Sequence, residues 1–232
     1  MTKDQILNQI KGRIIVSVQA EKTEPMGKPE ILAALAQTVV IGGAAGIRAC
    51  YAENIRAIKN AVDVPVIGIS KDVYPDSDVF ITPTWKENKE ILDTNPDILA
   101  LDATLRKRPR GEKLEDIVRK IRDYSDILIM ADCATFDDAI HAAKLGFDFI
   151  GTTLSGYTKE TEDRAIPYTP DFELIKQIVE AFGRDIPIIA EGRIWTPEQA
   201  KKIYGLGVFS IVIGSVITRP HHITRRFVEA IQ

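Results

Sequence analysis

Cysteine is scarce in this chain. Cys50 and Cys133 are the only two among 232 residues, far apart and each in an apolar context, so neither a disulfide framework nor a zinc site is expected and a reducing compartment fits. No apolar run reaches the roughly 18 to 20 residues that a bilayer span needs. The opening Met1-Thr2-Lys3-Asp4-Gln5 lacks the apolar stretch of an export signal. A cytoplasmic protein without membrane contact is the expectation. An excess of one charge is also missing: 30 Lys and Arg against 33 Asp and Glu leave a net charge of -3, which gives no general attraction to nucleic acid. The one dense basic run, Arg106-Lys107-Arg108-Pro109-Arg110, is read as a solvated loop or a contact between subunits. No GxGxxG follows a strand, which argues against an open dinucleotide-binding sheet. His221 and His222 are adjacent, their rings are expected to diverge, and no third ligand is in view, so no metal is expected.

What the chain does have is a recurring pattern. Short runs rich in β-branched residues lie at Ile14 to Val18, Ala45 to Ile47, Val64 to Ile69, Ile98 to Leu101, Ile127 to Ala131, Phe147 to Gly151, Ile186 to Ala190 and Phe209 to Ile213. They are apolar on both faces, as in a parallel sheet covered by helices. Thr84-Trp85-Lys86-Glu87 and Thr196-Pro197-Glu198-Gln199 have the form of capping boxes, and Thr169-Pro170 offers a further helix start. Gly146 and Gly207 stand where helices stop before the next strand. Strand and helix alternate about eight times with no linker, so the α/β pattern predicts a (β/α)8 TIM barrel, one domain over 1–232. A ninth strand-like run, Val79 to Thr82, follows the third strand too soon for a crossover helix and is assigned to the loop.

In such a barrel the strand C-terminal ends open into one mouth, and polar residues after apolar runs converge there. The chain supplies Gln19, Arg48, Lys71, Asp102, Asp132, Thr152 with Thr153, Glu191, and Gly214 with Ser215. A Lys ending an apolar strand is a candidate general base, because desolvation favours its neutral form. Glu191 is placed to orient Lys71 or share its proton, or else to pair with a barrel Arg. Arg48 is either an oxyanion holder or the partner of Asp102 or Asp132. Glycines in Glu191-Gly192-Arg193 and Ile213-Gly214-Ser215 let backbone N–H groups approach a phosphate after the last two strands, with Arg219 as a charged contact or a surface residue at the start of a helix.

These segments, with Gly151-Thr152-Thr153-Leu154-Ser155-Gly156-Tyr157-Thr158 and Ala190-Glu191-Gly192-Arg193 the most specific, resemble the N-acetylmannosamine-6-phosphate 2-epimerase family over nearly the whole chain. The resemblance implies a cofactor-independent barrel isomerase, acting on a phosphorylated amino sugar in catabolism after sialic acid cleavage. It implies Lys71 as the proton-transfer residue, Glu191 as its catalytic partner, and Gln19, Arg48, Asp132 and Arg219 as substrate contacts. Thr152, Gly192, Arg193, Gly214 and Ser215 complete the expected binding set, with no metal and no cofactor. A homodimer is compatible with the chain. One local departure stands beside the base, where the family's Lys-Arg-Asp-Tyr is replaced by Lys71-Asp72-Val73-Tyr74. Two other functions fit a barrel with a strand-end Lys: a phosphosugar aldolase working through a Lys Schiff base, and a phosphosugar-binding barrel without turnover.

Overall fold

A computed structural model describes residues 1–232. In chain order the elements are α1 (Lys3–Ile10), β1 (Ile14–Val18), α2 (Pro29–Ile41), β2 (Gly46–Cys50), α3 (Ala52–Lys59), β3 (Val66–Ile69), α4 (Trp85–Leu92), β4 (Ile98–Asp102), α5 (Leu114–Tyr124), β5 (Leu128–Asp132), α6 (Phe136–Lys144), β6 (Phe149–Gly151), α7 (Phe172–Phe182), β7 (Ile188–Glu191), α8 (Pro197–Gly205), β8 (Ser210–Ile213), α9 (Ser215–Thr218) and α10 (Pro220–Glu229). The eight strands pair in parallel from β1 to β8, and β8 returns to β1 through Ile14 with Ile211, closing the barrel. No helix is long and apolar enough to cross a membrane.

Successive strand side chains point to opposite faces, and here this parity divides the core in two. Val16, Ile47, Leu99, Ile129, Ile150 and Ile211 face the helices in the outer core. Ile15, Ile67, Ile98, Leu128, Phe149 and Val212 face the barrel axis, where α1 joins them through Ile6 and Ile10 and plugs the barrel. Inward positions further along the same strands carry Ser17, Arg48, Asp102, Asp132 and Glu191, so an apolar floor gives way to a polar upper layer.

The capping boxes at Thr84 and Thr196 form as the sequence predicts, and Gly146 and Gly207 adopt φ of 75° and 93° after the helix ends. Four expectations are corrected. The start proposed at Thr169-Pro170 moves to Asp171, whose carboxylate accepts from Leu174 N–H at 3.0 Å and from the Ser155 hydroxyl at 2.7 Å, a tertiary anchor the local sequence does not announce. β2 does not stop at Ile47 but continues through Arg48 to Cys50; carboxylates across the barrel stabilise a charge inside a strand. The rings of His221 and His222 do not diverge but lie tilted against each other, with centroids 4.4 Å apart. The basic run is not simply a solvated loop, because Arg108 is buried. It donates to the carbonyls of Pro83, at 3.0 Å, and Asp102.

Candidate active site

The mouth at the strand C-terminal ends holds a cleft of about 340 Å³, within the range of small-ligand sites, about 300 to 1,000 Å³. Gln19, Arg48, Lys71, Glu191, Gly192, Arg193, Gly214, Ser215 and Arg219 all line it. Nine of the eleven assigned residues thus meet in one place although they come from five different strand ends. Asp132 and Thr152 do not line it.

Asp132 is fully buried beneath the cleft, where Arg48 grips it with both terminal nitrogens, at 3.1 and 2.6 Å. The same guanidinium reaches Glu191 at 3.1 Å. The Thr153 hydroxyl donates to Asp132 at 2.6 Å and faces Glu191 at 3.3 Å. Arg48 is therefore the partner of Asp132 and Glu191, while Asp102 pairs with Arg106 at 2.7 Å. Two carboxylates share one cation, and electrostatics follow from that count. Burial pushes the Glu191 carboxyl up to about 7, with the charge of Asp132 adding to the rise and Arg48 opposing it. Burial works against the charge of Arg48, but the two carboxylates outweigh it and hold the pKa above the ordinary guanidinium value.

Thr152, directly after β6, has outward parity. Its hydroxyl donates to the Glu191 carbonyl at 2.9 Å and accepts from the Glu191 N–H at 3.1 Å, which fixes the backbone of Glu191 without meeting the cleft. Arg193 lines the cleft, yet its guanidinium donates to the carbonyls of Thr169, at 2.9 Å, and Ser155. Its side chain braces the loop after β6, and Gly156 is glycine because a Cβ would collide with that guanidinium. Gln19 donates to the Ser17 hydroxyl at 2.8 Å and keeps a buried side-chain oxygen without a partner. Such an orphan beside a cleft suits a polar ligand atom.

The amides of Gly192, Gly214 and Ser215 donate to no backbone carbonyl, so three N–H groups at the ends of β7 and β8 remain for an anion. Arg219 stands at the rim between α9 and α10, 3.6 Å from Glu24 of the loop after β1. Lys71 is half-buried. The reversed charge beside it is engaged elsewhere, since Asp72 accepts from the Ser70 hydroxyl at 2.5 Å and Val73 points to solvent. Cys50 and Cys133 are buried free thiols; burial pushes Cys50 up to about 12, against the charge of Lys71, and Cys133 well above its ordinary value. Neither is a nucleophile at neutral pH.

Ser17 and Glu24 were not among the expected residues, and Thr153, expected at the mouth beside Thr152, was given no contact of its own. Parity would have found Ser17, two residues before Gln19, and would have preferred Thr153, two after the inward Gly151, to Thr152. No local signal marks Glu24.

Comparison with known proteins bears on this site. The family model NanE, described as "Putative N-acetylmannosamine-6-phosphate epimerase", matches residues 32–232. A Listeria monocytogenes protein is 47% identical over 230 residues, 99% of this chain and 96% of its own, and an Enterobacter sp. protein is 48% identical over 228 residues, 98% and 96%. Both bear the name "Putative N-acetylmannosamine-6-phosphate 2-epimerase". The solved structure of the N-acetylmannosamine-6-phosphate 2-epimerase from Clostridium perfringens is 44% identical, covers 99% of this chain and 98% of that one, and has a TM-score of 0.93. Thiamine phosphate pyrophosphorylase from Pyrococcus furiosus, 18% identical with a TM-score of 0.62 over 91% of this chain and 89% of that one, shares the fold alone.

Proposed function

The chain belongs to the N-acetylmannosamine-6-phosphate epimerase family, and from that premise we propose that it interconverts N-acetylmannosamine 6-phosphate and N-acetylglucosamine 6-phosphate by inverting C2. The observation that carries the reading is one cleft lined by Lys71, by a carboxyl titrating near 7 and by three unengaged amides. The C2 proton becomes removable once the sugar ring opens and the C1 aldehyde can take the charge as an enolate. Lys71 is the residue assigned to that proton. Glu191 is present in both protonation forms around pH 7, so it is suited to deliver or accept a proton on the opposite face. Arg48, with its buried Nε unpartnered, stabilises negative charge near the reacting carbons. Such electrostatic support is worth about 3 to 4 kcal/mol in other enzymes. The reading places the reaction in amino-sugar catabolism after sialic acid cleavage. A proton NMR time course of N-acetylmannosamine 6-phosphate with the purified protein tests it: the C1 and C2 signals of the second sugar should grow to a constant ratio, and a spectrum that never changes would end the proposal.

The phosphate end is assigned to the amides of Gly192, Gly214 and Ser215 together with Arg219. Arg219→Ala should weaken binding of the phosphorylated sugar by about 1.5 to 3 kcal/mol, the usual worth of a charge-assisted hydrogen bond, and hardly move the unfolding midpoint. Calorimetric titration with phosphorylated and unphosphorylated sugar reads both. Equal affinity of the wild type for the two sugars would remove the phosphate assignment. Activity should also survive exhaustive dialysis against a chelator. The cleft offers Lys71, Arg48 and backbone N–H groups, donors that suit an anion; of the two carboxylates that line it, Glu21 and Glu191, the second is already held by Arg48, and no group of three metal-ligating side chains gathers there. Loss of turnover restored by a single divalent ion would reverse this expectation.

A further inference from the structure

Lys71 sits where the barrel's hydrogen-bond ladder is interrupted. β3 and β4 pair only through Ile67 with Ile98 and Gly68 with Leu99, and then residues 79–82 fold back between them. On one side Asp72 N–H donates to the Phe80 carbonyl at 3.0 Å, and Lys71 forms an antiparallel bridge with Ile81. On the other, Asp102 N–H donates to the Ile81 carbonyl at 3.0 Å. The run first read as strand-like is thus a wedge in the barrel wall, directly beside the assigned base.

Thr82 closes the wedge. It is fully buried at φ 45°, a left-handed backbone that a β-branched residue rarely adopts. Its N–H donates to the Ser70 carbonyl at 2.8 Å. Its hydroxyl accepts from the Ser70 N–H at 3.2 Å and donates to the Ala100 carbonyl on β4 at 2.8 Å. Both backbone polar groups of Ser70, the residue before Lys71, therefore end on Thr82. The Thr82 carbonyl in turn accepts from the buried amide of Asn88 on α4 at 3.0 Å. Strained backbone persists only where its surroundings over-determine it, and such places cluster at functional sites. A residue needed for packing alone would not require a hydroxyl that serves two strands at once.

We propose that Thr82 is the positioning residue for Lys71: its hydroxyl and left-handed backbone replace the missing β3–β4 ladder and fix the end of β3, so that the amine meets C2 of the substrate. The proposal rests on Lys71 as the proton-transfer residue. Thr82→Val keeps the shape and removes the hydroxyl, leaving the Ser70 N–H and the Ala100 carbonyl without their partner. It should lower kcat about 10²-fold, the cost of misplacing a reacting group by about 1 Å, with KM little changed. The isotope effect on kcat with 2-deuterio substrate should rise, because proton abstraction becomes the slower step. Thr82→Ser keeps the hydroxyl and should restore most of kcat. If the Val protein does not fold, Thr82→Gly relieves the positive φ, also lacks the hydroxyl, and should show the same kcat loss. Wild-type kcat per folded molecule in the Val or Gly protein, an unchanged isotope effect in a slowed variant, or a Ser protein as slow as Val would overturn the role. Lys71→Ala run alongside separates the two readings. An inactive Lys71→Ala beside a fully active Thr82→Val sinks the positioning role alone, whereas an active Lys71→Ala removes the base and this proposal with it.

Discussion

Arg48→Met is expected to lose about 3 to 5 kcal/mol of folding stability, the usual cost of removing one partner from a buried ion pair. The guanidinium it removes is 1% exposed and holds Asp132, fully buried, and Glu191, 13% exposed. Without it two carboxyl groups face each other across Thr153 with no cation between them. One of them must keep its proton, so the Glu191 carboxyl rises beyond the value of about 7 that it has in the wild type. The sign of the pH dependence follows. A carboxyl whose folded pKa lies above its unfolded value contributes stability that is fully present below the unfolded pKa, about 4.3, and lost as pH rises through the folded pKa. The wild type therefore loses this contribution between about pH 4 and pH 7, and the variant continues to lose it above pH 7. Urea denaturation of both proteins at pH 5 and pH 8 should show a deficit that is larger at pH 8. Equal midpoints at pH 8 would mean that Arg48 is not what makes the two carboxylates tolerable.

That ion pair also marks how far the sequence could be read. Eight β-branched runs matched eight strands because a doubly covered parallel sheet demands apolar residues on both faces, and that demand is written locally. β2 was cut short at Ile47 because the apolar-run rule stops at a charge, while the partners that permit Arg48 inside the strand lie 84 residues away at Asp132 and still further at Glu191. The candidate site was legible to the extent that it obeyed strand ends. Gln19, Lys71 and Glu191 could be named from position alone. Asp132 and Thr152 were named by the same rule and lie outside the cleft, the first because Arg48 and Thr153 cover it, the second because its parity turns it away. Inward parity alone would add Ser17, retain Thr153, and leave Thr152 to hold the backbone of Glu191. Thr82 and Glu24 obey no local rule. Their places depend on loops that fold back onto the barrel, and a strand-like run such as Val79 to Thr82 does not say which strands it will separate.

Lys71→Ala should leave a folded barrel and reduce turnover by about 10²-fold to 10⁴-fold, the range for a lost general acid or base. The fold survives because the Lys71 side chain stands half-buried at the mouth, above the apolar layers, and because the buried carboxylates take their counter-charge from Arg48. Among the influences on Glu191, Lys71 is the smallest, so its removal also leaves the ion-pair layer nearly as it was. Circular dichroism and the urea midpoint check the first half of the expectation, and the epimerisation rate checks the second. In deuterated water the wild type should place solvent deuterium at C2 of the product, because an amine that has taken the C2 proton exchanges it when the cleft opens. Borohydride added during turnover should leave the mass of the protein unchanged. A mass gain abolished by Lys71→Ala would instead mean that the amine forms a Schiff base, the chemistry of the aldolase alternative. Epimerisation near the wild-type rate in a folded Lys71→Ala protein would eliminate the amine as the proton carrier. The assignment would then pass to Glu191, whose buried carboxyl is pushed up to about 7, and Glu191→Gln would have to be the variant that stops turnover.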